Sequence, residues 1–191
     1  MDEHADIDLL CDDRKILIKI TGADNVYSSS SGREHNRKIS IAGKIIHLDI
    51  RTIGDGYYCE EWEKNMLSER KMYNNLCYVM NDEIYFYSLI YHALIHKKSV
   101  SPDYIERLQL MGKNLNLAVS HDKLLSILEN YMTRHKYTYT YTSYAGGIIN
   151  LNHAGINKNI IQRFSLNRFK RACSHGRLRI RKILSKILRT R

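Results

Sequence analysis

Asp6 and Asp8 flank a single isoleucine in "ADIDLLC", at the lip of an apolar run. In a strand, residues i and i+2 share a face, so the two carboxylates stand side by side while Ile7 and Leu9 face the core. Carboxylates that close repel each other, and a cation relieves the repulsion. Hard oxygen donors suit Mg²⁺ or Mn²⁺. A solvated strand end is the plainer reading of an isolated pair. A third carboxylate, Asp49, sits inside the apolar stretch "IIHLDIR", where a free charge is unwelcome. If its strand pairs near the first, Asp6, Asp8 and Asp49 can hold one or two divalent ions. Such ions neutralise phosphates and activate an attacking oxygen.

Other residues offer weaker chemistry. His92 and His96 have the i, i+4 spacing with which two imidazoles grip a metal. A zincin helix needs Glu after the first histidine, and here the residue is Ala93. Two core histidines, bonded to tyrosines or backbone, are the expected case; a place in a pocket beside the carboxylates is the alternative. Asp55, between Gly54 and Gly56, reads as a turn residue that can also reach a substrate. "HKYTYTYTSY" alternates Tyr and Thr. An edge strand packed on the domain is expected there, ahead of a base-stacking stripe.

The elements that must position these groups follow from periodicity. "DIDLLC" and "KILIKI" read as two short strands joined by a polar corner at Asp12-Asp13. "DNVYSSSSGREHN" reads as a loop, and "RKISIAGKIIHLDIR" as a hairpin turning at Ala42-Gly43. In its second strand Ile46, Leu48 and Ile50 take one face, and His47, Asp49 and Arg51 the other. From about Glu60 the period becomes helical. "EIYFYSLIYHALIHKK" is apolar nearly all round and reads as a buried helix. Ser101-Pro102 reads as a helix start. Its stripe runs Ile105, Leu108, Met111 and Leu115; a further helix after Ser120 groups Leu124, Leu125, Leu128 and Met132. Strands first and helices after predict an α+β fold. The predicted order is a small mixed or antiparallel sheet over 1–58, a helical region over 59–145 and a basic amphipathic tail over 146–191.

The charge is unevenly spread. Of the 191 residues, 1–129 carry 16 Lys and Arg against 20 Asp and Glu, a balance of −4. Residues 130–191 carry 14 Lys and Arg and no acid, a balance of +14. An acidic domain with a basic tail is expected to meet a polyanion. No apolar run is long enough to span a membrane, and the start has no signal-peptide pattern. Cys11, Cys59, Cys77 and Cys173 are scattered and read as free thiols of a reducing cytosol, not as a zinc site. In the tail, Ile180, Ile183, Leu184, Ile187 and Leu188 share a helical face. Arg177, Arg179, Arg181, Lys182, Lys186 and Arg189 supply the cations. Such a helix suits an anionic membrane surface. The alternatives are a terminal helix docked on its own domain and, third, an RNA-binding tail.

The D-h-D strand "ADIDLLC" and the later "HLDIR" resemble the nucleotidyltransferase superfamily, with its polymerase-beta-like fold. More loosely, "HLDIRTIGDGYYCEEWEKNML…IYFYSLIYHALIHKK" is similar to uncharacterised nucleotidyltransferase-like proteins of bacterial surface-polysaccharide gene clusters. The resemblance implies Mg²⁺-dependent nucleotidyl transfer from a nucleoside triphosphate to a hydroxyl acceptor. Asp6, Asp8 and Asp49 are then the metal ligands and catalytic carboxylates, with Asp49 helping to deprotonate the acceptor. Arg51, Arg33 and Asp55 are substrate-binding candidates. The superfamily's Gly-Ser turn precedes the D-h-D strand, and only Met1–Ala5 precede Asp6. The expectation is therefore a piece of a longer protein or a degenerate activity, with weak catalysis by residues 1–191. A cytoplasmic protein, bound peripherally to the inner membrane face by its tail, is the expected setting. A non-catalytic binding module at that membrane, or an RNA-binding protein, is the rival reading.

Overall fold

The computed structural model describes residues 6–26, 36–97 and 99–140. They form an α+β unit in which a four-stranded mixed sheet is followed by helices. β1 (Ile7–Cys11) leads into α1 (Arg14–Thr21), then β2 (Asp24–Asn25), β3 (Asn36–Ile41) and β4 (Lys44–Thr52). The sheet order is β1-β4-β3-β2. β1 runs parallel to β4, and β3 pairs antiparallel with both β4 and β2.

The expected strand at "KILIKI" is a helix. Asp13 caps it, its Oδ1 accepting the amides of Lys15 at 2.7 Å and Ile16 at 3.3 Å. Gly22 ends it with φ 65°, a left-handed turn natural to glycine. The Asp12-Asp13 corner is thus a helix start rather than a strand-to-strand joint. Leu17 and Ile18 press onto a small core of Ala23, Leu48 and Ile50, joined by Leu9, Cys11, Ile39 and Ile46. A parallel β1–β4 pair needs a crossover connection, and α1 supplies the helix for it. The segment expected to be a loop opens with the two residues of β2. The hairpin turns where expected, with Ala42 at φ 49° and Gly43 at φ 76°, as a two-residue turn between twisted strands requires.

α2 (Glu60–Ser68) buries Trp62, Glu63 and Met66. A two-stranded hairpin, β5 (Lys71–Tyr73) and β6 (Cys77–Val79), connects it to α3 (Asp82–Tyr91). Asn81 caps α3 by accepting the Ile84 amide at 2.8 Å. α3 is the expected buried helix, with Phe86, Ile90 and Tyr91 fully enclosed, and it runs on as a π-helical turn, His92–His96. α4 (Pro102–Asn114) starts with Pro in its first turn, and α5 (Leu124–Arg134) follows a 3₁₀ turn at His121–Lys123. Of the α4 stripe Leu108 is fully buried, while α5 buries Leu124, Leu128 and Met132. Trp62 is the hub of this second core: Tyr137 stacks on it at 5.1 Å, and Tyr91 meets it edge-on at 5.5 Å. Tyr137 and Tyr139 are buried, so these two rings pack inward and present no face on which a base could stack. Residues 141–191, and with them the basic tail, lie outside the described residues, as does Arg33.

Candidate functional site

The parallel register sets Asp8 opposite Asp49 on adjacent strands. Leu48 and Ile50 face the α1 core, so Asp49 and Arg51 face the other side of the sheet, with Asp8. That side is one wall of a cleft of about 310 Å³. The sheet contributes Asp8, Asp49 and Arg51; the β4–α2 loop contributes Tyr57 and Tyr58; α2 contributes Glu63. The opposite wall carries Ser88 and His92 of the long helix, with Tyr104 and Arg107 of α4.

Arg51 reaches Asp49 at 3.1 Å and Asp55 at 3.9 Å, and its guanidinium lies 4.3 Å above the Tyr57 ring. The second oxygen of Asp49, Oδ1, is buried without a hydrogen-bond partner. Burial raises the Asp8 carboxyl above its ordinary range, and the charge of Asp49 raises it further. Asp6, just before β1, is exposed and adds to the same field. No group of three His, Cys, Asp or Glu is arranged to hold a metal ion among the described residues. The two facing carboxylates, one with an orphaned buried oxygen, nevertheless form a hard oxygen pair. A Mg²⁺ ion takes one or two carboxylates and completes its shell with water and phosphate, so two carboxylates are enough donors for one.

Asp55 serves the turn. Its Oδ1 accepts the Tyr57 amide at 2.9 Å and its Oδ2 the Thr52 amide at 3.4 Å. It is not among the residues that line the cleft. Gly54 and Gly56, at φ 79° and 91°, shape this loop. The Gly54 amide donates to Glu63 Oε2 at 2.6 Å, and the Tyr58 amide donates to Oε1 at 3.2 Å. Glu63 is 1 % exposed, and burial pushes its carboxyl up to about 7 despite these two donors. Among three glutamates in the first turn of α2, only its place in the stripe Trp62–Glu63–Met66 signals this in the sequence.

His92 lies in the cleft wall, as one reading of the histidine pair expected. Its Nδ1 is hydrogen-bonded to the Tyr57 hydroxyl at 2.5 Å. His96 stacks on Tyr57 at 3.9 Å, so Tyr57 is held between an arginine and a histidine. Burial lowers His96 to about 4 and also lowers His92, so both rings are neutral at pH 7. Tyr57, which the sequence reading passed over, ties the carboxylate wall to the helical wall.

Comparisons of the chain with protein-family models, with curated proteins and with solved structures found no match. Among the described residues no helix is long and apolar enough to cross a membrane. Cys11, Cys59 and Cys77 are free thiols.

Proposed function

We propose that the cleft binds a divalent cation with a nucleoside triphosphate and transfers the nucleotidyl group to a hydroxyl acceptor. The reading rests on the in-register pair Asp8–Asp49 at the cleft wall and on the orphaned Asp49 Oδ1. Asp8 and Asp49 would hold Mg²⁺ or Mn²⁺, with Asp6 beside them at the strand's start. The ion would supply charge neutralisation at the phosphates. Arg51 orients Asp49 and offers the cleft a second positive charge. The link to bacterial surface-polysaccharide synthesis comes from the resemblance carried by "HLDIR" and the helix "IYFYSLIYHALIHKK".

Mn²⁺ binding by the full chain, followed by electron paramagnetic resonance, tests the proposal. Saturable binding is expected, with Asp49→Asn and Asp8→Asn each weakening it at least about tenfold, as loss of one charged ligand implies. Labelled nucleoside triphosphates should then show metal-dependent release of pyrophosphate. Mn²⁺ binding that survives both substitutions would remove the reading.

One observation favours the non-catalytic alternative. Arg51 already balances part of the acidic pair without a metal. On that reading the cleft holds a ligand and performs no transfer, and neither Mn²⁺ nor Mg²⁺ changes the ligand's affinity.

A further inference from the structure

The two walls of the cleft differ in charge. The sheet wall carries Asp8 and Asp49, and its arginine is drawn onto Asp49 and Asp55. The helical wall carries Arg107, His92, Tyr85 and Tyr104, with no carboxylate among the lining residues of α3 and α4. Arg107 donates to the Tyr85 hydroxyl and lies over that ring at 5.5 Å. Among the described residues no carboxylate forms an ion pair with it. The Tyr57 hydroxyl engages Nδ1 of His92, which leaves Nε2 for a ligand. The charge of Lys97 acts on His92 as well as on Asp8. Glu63 lines the floor, but its oxygens are engaged by the Gly54 and Tyr58 amides.

We propose that the helical wall is a subsite for an anionic saccharide, whose phosphate or carboxylate is held by Arg107 and His92 Nε2 while its ring lies against Tyr104. A guanidinium grips either anion through paired N–H donors. Tyrosines with an apolar ring and a polar tip suit the mixed faces of a sugar. Calling this saccharide the acceptor rests on the nucleotidyl-transfer reading; its binding does not. In that reading the Asp8–Asp49 wall takes the cation and the triphosphate, and the positive wall takes the second substrate. This keeps two anionic substrates from competing for one set of charges.

Calorimetry of the full chain with glucose 1-phosphate, glucuronate and glucose tests the subsite. At least one anionic sugar should bind about tenfold or more tighter than glucose, the scale of a charge-assisted hydrogen bond. The better of the two identifies the anion. Arg107→Gln and His92→Gln should each weaken that sugar about fivefold or more, and Arg107→Lys, which keeps the charge but loses the paired donors, should recover only part of the loss. Asp49→Asn should leave saccharide binding intact even where it abolishes Mn²⁺ binding. Saccharide binding without Mn²⁺ binding upholds the subsite and ends the nucleotidyl-transfer reading. The subsite falls if neither anionic sugar outbinds glucose, or if the Arg107→Gln and His92→Gln proteins bind like the parent.

Discussion

Glu63 and His96 are buried groups whose protonation is coupled to folding in opposite directions. Glu63 holds its proton more readily folded than unfolded, since burial takes its carboxyl from an ordinary 4.5 to about 7. Its contribution is therefore full below the ordinary range and is lost as pH rises through about 7. His96, lowered from 6.5 to about 4, contributes fully above its ordinary range and loses that contribution as pH falls towards 4. Relative to the parent, Glu63→Gln should gain stability as pH rises from about 4.5 to 7.5, by up to about 3 kcal/mol. His96→Phe, which keeps a ring on Tyr57, should gain relative stability as pH falls from about 6.5 to 4. Urea unfolding across this range reads both, and difference curves that do not vary with pH would refute the coupling. The residue types Asp6, Asp8, Asp49 and Arg51 were legible as a candidate site. Glu63 and Tyr57 were not, because their roles come from burial and from the loop folding back on them.

At the scale of elements, local capping decided what periodicity could not. "KILIKI" alternates well enough for a strand, yet Asp13 at its start is a helix start signal and Gly22 after its end a helix stop signal. The buried helix from Asp82 was legible from its apolar run; its π-helical end, which places His92 in the cleft and His96 under Tyr57, was not. Gly112 is a second element-level feature. It is buried inside α4, where a Cβ would stand 2.5 Å from Val119 Cγ2 and 3.1 Å from the Leu117 carbonyl oxygen. Alanine would gain about 1 kcal/mol of helix propensity, but overpacking against a stiff valine costs about 1–3 kcal/mol. Gly112→Ala should therefore destabilise by about 1 kcal/mol. In a Val119→Ala background the same substitution should cost less, so a double-mutant cycle should show favourable coupling. Additive effects would mean that Val119 does not restrict the site.

For the whole molecule, the charge division at Glu129 sets the testable expectation. The cations Arg177, Arg179, Arg181, Lys182, Lys186 and Arg189 accompany the apolar stripe Ile180-Ile183-Leu184-Ile187-Leu188. Binding to anionic liposomes should be strong at low salt and weaken as salt screens the charges. Ile183→Ser with Ile187→Ser should weaken it further, because the buried apolar face supplies the rest of the affinity. Parent-like binding by the double variant would reduce the tail to a generic polycation. RNA bound in preference to liposomes at equal salt would favour the nucleic-acid reading.

The sequence by itself determined the α+β class, the hairpin at Ala42-Gly43, the buried helix and the strand faces that separate Leu48 and Ile50 from Asp49. These follow from periods of two and 3.6 and from glycine's freedom at positive φ, all local properties. Only the tertiary structure decided that β1 and β4 run parallel in the register that sets Asp8 against Asp49. It also decided that Arg51 spans Asp49 and Asp55, and that Tyr57 closes on His92. Strand pairing across a crossover, and the burial that shifts a carboxyl or an imidazole, depend on residues far apart in the chain. No local pattern encodes such distances.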